Sequence, residues 1–387
     1  MPKKGKKGKK GKGDKGGKKG AGKLPAGVPE GFASVGEYVK KEVANKFSQL
    51  CAASACTPPA SFMKFLESCI AEDKLFSNAT VAERDFTAPV VHALAETLAT
   101  WSPLKAFCLW RTSCGDSGAG SMAELLKHNP SLLGLEMLDC GLTARGTRAL
   151  GEALSSPGGN MTLRYLNLDL NNIGDEGAIC LAEGMKGNRD LRVLSLQYCG
   201  IKSDGASALA SLVIGTMALQ ELKLRGNAIG TMGAVALAAT LTSNTTLKIL
   251  DLTDNELTAS AAIAIAPAAA ASSSLEFLGL DANPIGEEGA EAVIEALGIR
   301  KTARDPPTIA TEQGAAMADV STASPIDADI EPPLSNPTAK KEPPPPLKIT
   351  VTEKLPREMF TKVKAAIDAL APAKKGKKGK KKGKKKK

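Results

Sequence analysis

Residues 163–173 read LRYLNLDLNNI. The same frame, L-x-x-L-x-L-x-x-N-x-I, returns as LRVLSLQYCGI at 191–201, LQELKLRGNAI at 219–229, LKILDLTDNEL at 247–257 and LEFLGLDANPI at 275–285. Each opening Leu (163, 191, 219, 247, 275) stands 28 residues beyond the one before. Two weaker copies precede them, LLGLEMLDCGL from Leu132 and LKAFCLWRTSC from Leu104, again 28 apart. The step from 132 to 163 is three residues longer, and the surplus falls near Ser155-Ser156-Pro157-Gly158-Gly159. Seven units thus cover about 104–302. One such unit cannot bury its apolar face alone, so stability has to come from stacking neighbours.

The second half of each unit repeats as well. Six residues after the Asn position stand Gly118, Gly146, Gly177, Gly205, Gly233 and Gly289, with Ala261 in the sixth unit. Four and eight residues further on sit aliphatic side chains, such as Leu150 and Leu154 or Leu237 and Leu241. A spacing of four on an Ala-rich background is one face of a helix. Each unit therefore reads as a short strand, a turn and a helix.

These residues resemble the leucine-rich repeat family, in particular its 28-residue ribonuclease-inhibitor-like subclass. The resemblance covers about half of the chain. It implies an α/β solenoid, with short parallel strands on the concave face and helices on the convex face. Asn171, Asn227, Asn255 and Asn283 are then expected to hydrogen-bond backbone groups where each strand turns away, as a ladder. Cys140 and Cys199 replace Asn at this position, as the subclass often allows, and Thr112 departs from it.

Around the array the composition changes. Residues 31–103 lack the frame. Val35, Tyr38, Val39, Val43 and Phe47 are spaced like one helix face, as are Phe62, Phe65, Leu66 and Ile70, and Val90, Val91, Leu94 and Leu98. Three short helices capping the open end of the solenoid are expected. Residues 303–349 hold ten Pro and read as a linker; 350–372 reads as an amphipathic helix with Phe360, Val363, Ile367 and Leu370 in one stripe. That helix is expected to dock either on its own solenoid or in a partner's groove. Residues 1–30 and 373–387 are Lys/Gly-rich tails expected to be disordered.

The net charge of +10 conceals this layout. Residues 1–23 carry eleven Lys and one Asp, and 374–387 carry eleven Lys and no acid. The remaining 29 cations stand against 40 acids, so the body is −11. No stretch of about 18 apolar residues is present for a membrane-spanning helix. The start MPKKGKKGKK does not read as an export signal, so the eight Cys, none in a CxxC pair, are expected as reduced thiols. His92 and His128 lack Cys or His partners at zinc-ligand spacing.

Catalytic chemistry finds little support. Gly17 to Lys23 has the G-x-x-x-x-G-K spacing but lacks the following Ser or Thr, and a Lys/Gly repeat produces this spacing by composition. Asp169, Asp251, Asp254 and Asp281 fall at outward strand positions, where an acidic solenoid carries acids anyway. No cofactor or metal is expected, and no enzyme. The concave face is the default binding face of such arrays. Its outward positions read Trp110, Glu136, Tyr165, Asn167, Asp169, Gln197, Tyr198, Glu221, Lys223, Arg225, Asp251, Asp254 and Asp281. Tyr198 and Trp110 stand out in a chain with three Tyr and two Trp, because aromatics are enriched at interface hot spots.

In the tails, Lys3, Lys4, Lys6, Lys7, Lys9, Lys10, Lys374, Lys375, Lys377, Lys378, Lys384, Lys385, Lys386 and Lys387 are expected to dock on an acidic polymer. They lack interleaved aromatics for base stacking. The expectation is a scaffold or adaptor: the repeat face holds a protein partner, and the tails grip a polymer such as the microtubule through its acidic tubulin ends. Lys/Gly-rich ends beside such repeats look like those of proteins of the ciliary or flagellar axoneme, which implies a cytoplasmic, cytoskeletal location. Two alternatives stay open: a regulator of a small GTPase, similar to the Ran GTPase-activating proteins in repeat subclass, and a nuclear or ribosome-associated RNA-binding accessory protein.

Overall fold

The computed structural model describes residues 28–82, 84–155, 157–304, 345–351 and 357–370. Nine strands form one parallel sheet in strict chain order: β1 (Asn78–Val81), β2 (Ala106–Trp110), β3 (Gly134–Leu138), β4 (Tyr165–Asn167), β5 (Val193–Ser195), β6 (Glu221–Lys223), β7 (Ile249–Asp251), β8 (Phe277–Gly279) and β9 (Lys348–Thr350). The register follows the sequence frame, so that Leu135 pairs with Leu166, Leu166 with Leu194, and Leu250 with Leu278. The helices α4 (Ala88–Leu98), α5 (Gly115–His128), α6 (Ala144–Ala153), α7 (Gly174–Gly184), α8 (Ser203–Gly215), α9 (Gly230–Leu241), α10 (Ala259–Ala271) and α11 (Gly286–Arg304) alternate with the strands, each packed on the next. Strands repeat every ~4.8 Å and helices need ~10 Å, so the sheet lies on the shorter arc. The frame Leu residues, from Leu163, Leu166 and Leu168 to Leu275, Leu278 and Leu280, are buried between the two layers. The chain is an α/β repeat solenoid. Among the described residues no helix is long and apolar enough to cross a membrane.

The expected asparagine ladder is present. Asn227 donates through Nδ2 to Leu196 O (2.9 Å) and Leu224 O (2.8 Å), and its Oδ1 accepts from the backbone N–H of Cys199 and Ile201, both at 3.0 Å. Asn171 and Asn283 repeat this pattern toward the units before them. Cys140 and Cys199 replace the amide by a thiol donor: their sulfurs reach Leu109 O and Leu138 O, and Leu168 O and Gln197 O, at 3.3–3.4 Å.

Two kinds of turn alternate. After β2, β4, β6 and β8 a glycine opens the helix at positive φ: Gly115, Gly174, Gly230 and Gly286, at +54 to +64°. Where the next unit follows directly, its N–H donates to a backbone carbonyl there, as Gly230 N does to Asn255 O (3.1 Å). After β3, β5 and β7 the positive-φ residue comes two places earlier, at Gly141, Gly200 and Glu256, and the freed N–H groups go to the following Asn side chain. An Asn with a full set of partners is therefore needed only in alternate units. Asn255 stands in the other kind, where its Oδ1 is buried without a hydrogen-bond partner.

A second ladder, not foreseen from the sequence, lies at the opposite turn, three residues before each opening Leu. Asn129, Asn160, Asn188 and Asn244 each accept two backbone N–H bonds that fix the strand start, and each donates back to the previous unit. Thr216 and Ser272 take this place in two units.

The array is longer than the expected seven units. Residues 31–103 contain the helical segments α1 (Val35–Val39), running on through a π-helical turn into α2 (Lys46–Ala53), then α3 (Ala60–Ala71) and α4, but also β1, which pairs Asn78 with Ala106 at the 28-residue step. Phe76, Ala79 and Val81 occupy the buried frame positions there. At the far end, β9 lies in the stretch expected to be linker, and Ile349 pairs with Leu278. Helix α12 (Arg357–Leu370) packs on α11 with Met359 and Val363 buried, so it docks on its own solenoid. Arg300, fully buried, is 28 residues beyond Ser272 and continues the second ladder. Its guanidinium donates to Ala270 O (3.0 Å), Ser272 O, Leu275 O (3.1 Å) and Pro345 O (2.9 Å), which pins the returning chain to the last complete unit.

Candidate protein-binding face

Outward strand positions alternate with the buried Leu, so Ala106, Cys108 and Trp110 on β2, or Glu221 and Lys223 on β6, face away from the helices. Several of the candidates are committed to one another. Asp169 is buried, and its carboxylate accepts from Ser195 Oγ (2.7 Å), Gln197 N (2.7 Å) and Gln197 Nε2 (2.8 Å). Asn167 is buried too; its Oδ1 accepts from Asp169 N and its Nδ2 donates to Tyr165 Oη (3.2 Å). Burial raises the Tyr165 phenol pKa, with Asn167 opposing and Glu136 adding to the rise. Burial also pushes the neighbouring Cys108 thiol up to about 12, helped by the Glu136 charge. Glu221 and Lys223 pair at 2.9 Å, and Asp251 accepts from Thr253 N. Asp281 is half-buried beside Asp254.

What remains open to a partner gathers along one rim, where the strands end. The residue seven places after each opening Leu is left-handed: Arg111, Asp139, Leu170, Tyr198, Gly226, Asp254 and Ala282, with φ between +49 and +71°. Each of the first six sends its N–H to the next unit, as Arg111 N does to Leu138 O (2.9 Å), Leu170 N to Gln197 O (2.9 Å) and Tyr198 N to Arg225 O (2.8 Å). The row is thus an extension of the sheet, with side chains about 5 Å apart from unit to unit. Tyr198 and Asp254 were legible as candidates; Arg111, Asp139 and Leu170 were not, because only their common place in the 28-residue frame links them.

Trp110, Leu170 and Tyr198 are 43%, 48% and 44% exposed. The other three Trp and Tyr are not: Trp101 and Tyr38 are buried, and Tyr165 is half-buried. The Arg111 guanidinium lies 5.2 Å from the Trp110 ring centre and 3.6 Å from Asp139. The Tyr198 ring lies over Gly226, where a Cβ would strike it. Arg225 is exposed in the next unit. Beside Trp110, a cavity of about 540 Å³ opens between Ala82, Arg84, Arg111, Thr112, Ser113 and Asp139. The fourteen tail lysines lie outside the described residues.

A sequence profile described as "Leucine Rich repeat" matches residues 159–182, 187–210, 217–238 and 243–266. No curated protein matches the chain. Among solved structures, Leiomodin-1 actin-binding site 2 (ABS2) is 25% identical, covering 36% of this chain and 80% of that one at a TM-score of 0.31. A TDR receptor is 15% identical, covering 51% of this chain and 30% of that one at a TM-score of 0.32. The profile falls on the same units whose Leu positions fill the core and whose Asn side chains bridge successive turns, and the chain is a leucine-rich repeat protein.

Proposed function

We propose that this protein is a non-enzymatic scaffold that holds a protein partner on the strand-end rim of its repeat face. The observation that carries this reading is the placement of the aromatic residues. Of five Trp and Tyr, the two that are exposed both stand on that rim, with Leu170 between them in the frame. Rigid aromatic anchors flanked by Arg are the composition of binding hot spots.

The Lys-rich ends supply the second half of the reading: adhesion to an acidic polymer, with the microtubule favoured and a cytoskeletal, ciliary or flagellar location. Their points of attachment support a bridging role. Val28 packs against the core at the N-terminal cap, and α12 packs on α11 at the other end. Nine strands separate the two ends, roughly 40 Å along the sheet. Two cationic contacts held that far apart by a rigid arc add avidity that either alone lacks.

The test is co-sedimentation of the full chain with microtubules. Binding weakens steeply with salt, is lost on tubulin stripped of its acidic ends, and persists in competition with RNA. Acceleration of GTP hydrolysis by a small GTPase after removal of both tails, or a tagged copy confined to the nucleolus, overturns the reading.

A further inference from the structure

Two buried thiols meet beside the rim cavity. In the unit that starts at Leu104, the place held elsewhere by Leu142, Ile173, Ile201, Ile229, Leu257 or Ile285 is held by Cys114. The ladder place in the next unit is held by Cys140. Thr112 Oγ1 lies 3.4 Å from Cys114 Sγ and 3.2 Å from Cys140 Sγ, so one hydroxyl touches both sulfurs. The backbones are tied at the same point, where Gly115 N donates to Cys140 O at 3.0 Å. Thr112 also lines the 540 Å³ cavity with Arg84, Arg111, Ser113 and Asp139. The thiols are 3% and 1% exposed, and Thr112 stands between them and the cavity.

The surroundings treat the two sulfurs differently. The Cys140 thiol and the Thr112 hydroxyl donate toward Cys114 and pull its pKa down to about 7 against the effect of burial. Cys140, beside that charge and equally buried, is pushed up. Burial alone dominates at Cys199, which goes up to about 12. The thiolate is the reactive form of cysteine, so the pair combines an attacking and a resolving thiol.

We propose that Cys114 and Cys140 form a peroxide-sensitive redox pair beneath the rim. The Cys114 thiolate attacks one oxygen of hydrogen peroxide; the O–O bond breaks and hydroxide leaves, taking up a proton as water. The resulting sulfenic acid is attacked by the Cys140 sulfur. The S–O bond breaks, the S–S bond forms, and a second water departs with the Cys140 proton. Two thiols and one peroxide thus give one disulfide and two waters. The bond removes the Cys140 thiol from Leu109 O and Leu138 O and fastens the turn carrying Arg111 to the turn carrying Asp139. Both residues wall the cavity, so its shape becomes dependent on oxidation. The inference is independent of which partner the rim holds.

A second thiol pair gives the comparison. Cys51 and Cys56 are neighbours, but burial pushes Cys51 up to about 12, with Cys56 adding to the shift. The experiment treats the full reduced chain with stoichiometric hydrogen peroxide, alkylates under denaturing conditions and maps unreduced peptides by mass spectrometry. The expected result is a Cys114–Cys140 linked peptide that forms before any Cys51–Cys56 link, at a rate that rises through about pH 7. In Cys140→Ser the reaction stops at a Cys114 sulfenic acid that dimedone traps; in Cys114→Ser no oxidised Cys140 accumulates. Should either variant fail to fold, the wild-type map decides alone. Full alkylation of Cys114 and Cys140 after Cys51 and Cys56 have linked overturns the proposal, as does a rate that rises only through pH 8.5–9.

Discussion

The alternation of turns makes a sharp prediction about two asparagines that look equivalent in sequence. Asn227 and Asn255 sit 28 residues apart at the same place in the frame. In Asn227→Cys the two Nδ2 bonds are replaced by a weak thiol donor, and the N–H groups of Cys199 and Ile201, both bonded to Asn227 Oδ1 at 3.0 Å, lose their acceptor. Each stranded buried donor costs about 1–3 kcal/mol, so the expected loss is about 3–5 kcal/mol. In Asn255→Cys the same kind of thiol faces Leu224 O and Thr253 O, the carbonyls equivalent to those that Cys140 and Cys199 already use. No donor is stranded, and an Oδ1 without a partner disappears. Loss of an ordinary hydrogen bond, about 1 kcal/mol, is offset by removal of an unsatisfied acceptor worth about as much or more, and the net change is within about 1 kcal/mol of zero. Urea unfolding followed by circular dichroism measures both variants, and hydrogen exchange at the Cys199 and Ile201 amides reports the local opening in the first. Equal losses in the two variants, or a larger one in Asn255→Cys, refute the two-turn account of the ladder.

Other outcomes follow from single contacts. Arg300→Met strands the carbonyls of Ala270, Ser272, Leu275 and Pro345, and limited proteolysis is expected to cut between 345 and 370 at least tenfold faster, while β2–β7 keep their hydrogen-exchange protection. Leu170→Gly relieves a left-handed side chain at φ +62° and is expected to leave stability unchanged or raise it by up to about 1 kcal/mol in urea unfolding, while Tyr198→Ala and Leu170→Gly both weaken partner binding. The Cys199 thiol is held near 12 in the fold against about 8.5–9 in the unfolded chain; a raised folded pKa stabilises below the unfolded value and is lost as pH rises through the folded one. Stability is therefore expected to fall between about pH 9 and 12 with a slope approaching 1.4 kcal/mol per pH unit from this group, and Cys199→Ala removes that share of the slope in unfolding titrations.

The fold was legible where one residue type marks one job. Leu at three strand positions announces burial between layers, and Asn after the strand announces the turn. Legibility ended where the same job is done by other chemistry. In β1 the frame positions are Phe76, Ala79 and Val81, whose packing equals that of the Leu residues but whose letters do not repeat them. For β9, the step from Leu275 to its counterpart Pro346 is 71 residues, because forty residues intervene between α11 and the return of the chain, so the period itself is broken. Asn129, Asn160, Asn188 and Asn244 were visible at a fixed offset, but Thr216, Ser272 and finally Arg300 share their task, and a hydroxyl, an amide and a guanidinium align only once the carbonyls they serve are known.

The binding face was legible in outline only, because alternation tells which way a strand residue points and not what it meets there. Asp169 points outward and is nonetheless enclosed by Ser195 and Gln197. The rim shows the reverse case. Arg111, Asp139, Leu170, Tyr198 and Asp254 keep side chains in a backbone conformation that Gly adopts freely, at a strain of about 1–2 kcal/mol each. If the row served the turn alone, glycine would suffice at every step. Glycine stands at one of the seven steps, Gly226, where the neighbouring Tyr198 ring occupies the space of a Cβ. Side chains retained against strain, in a row fixed by main-chain bonds from unit to unit, point to a surface kept for contact, and the direction of inference runs from the observed conformation to that use. Trp110, next to Arg111 at the head of the row, and Tyr198 three units along then define the span, roughly 15 Å, that a partner has to cover.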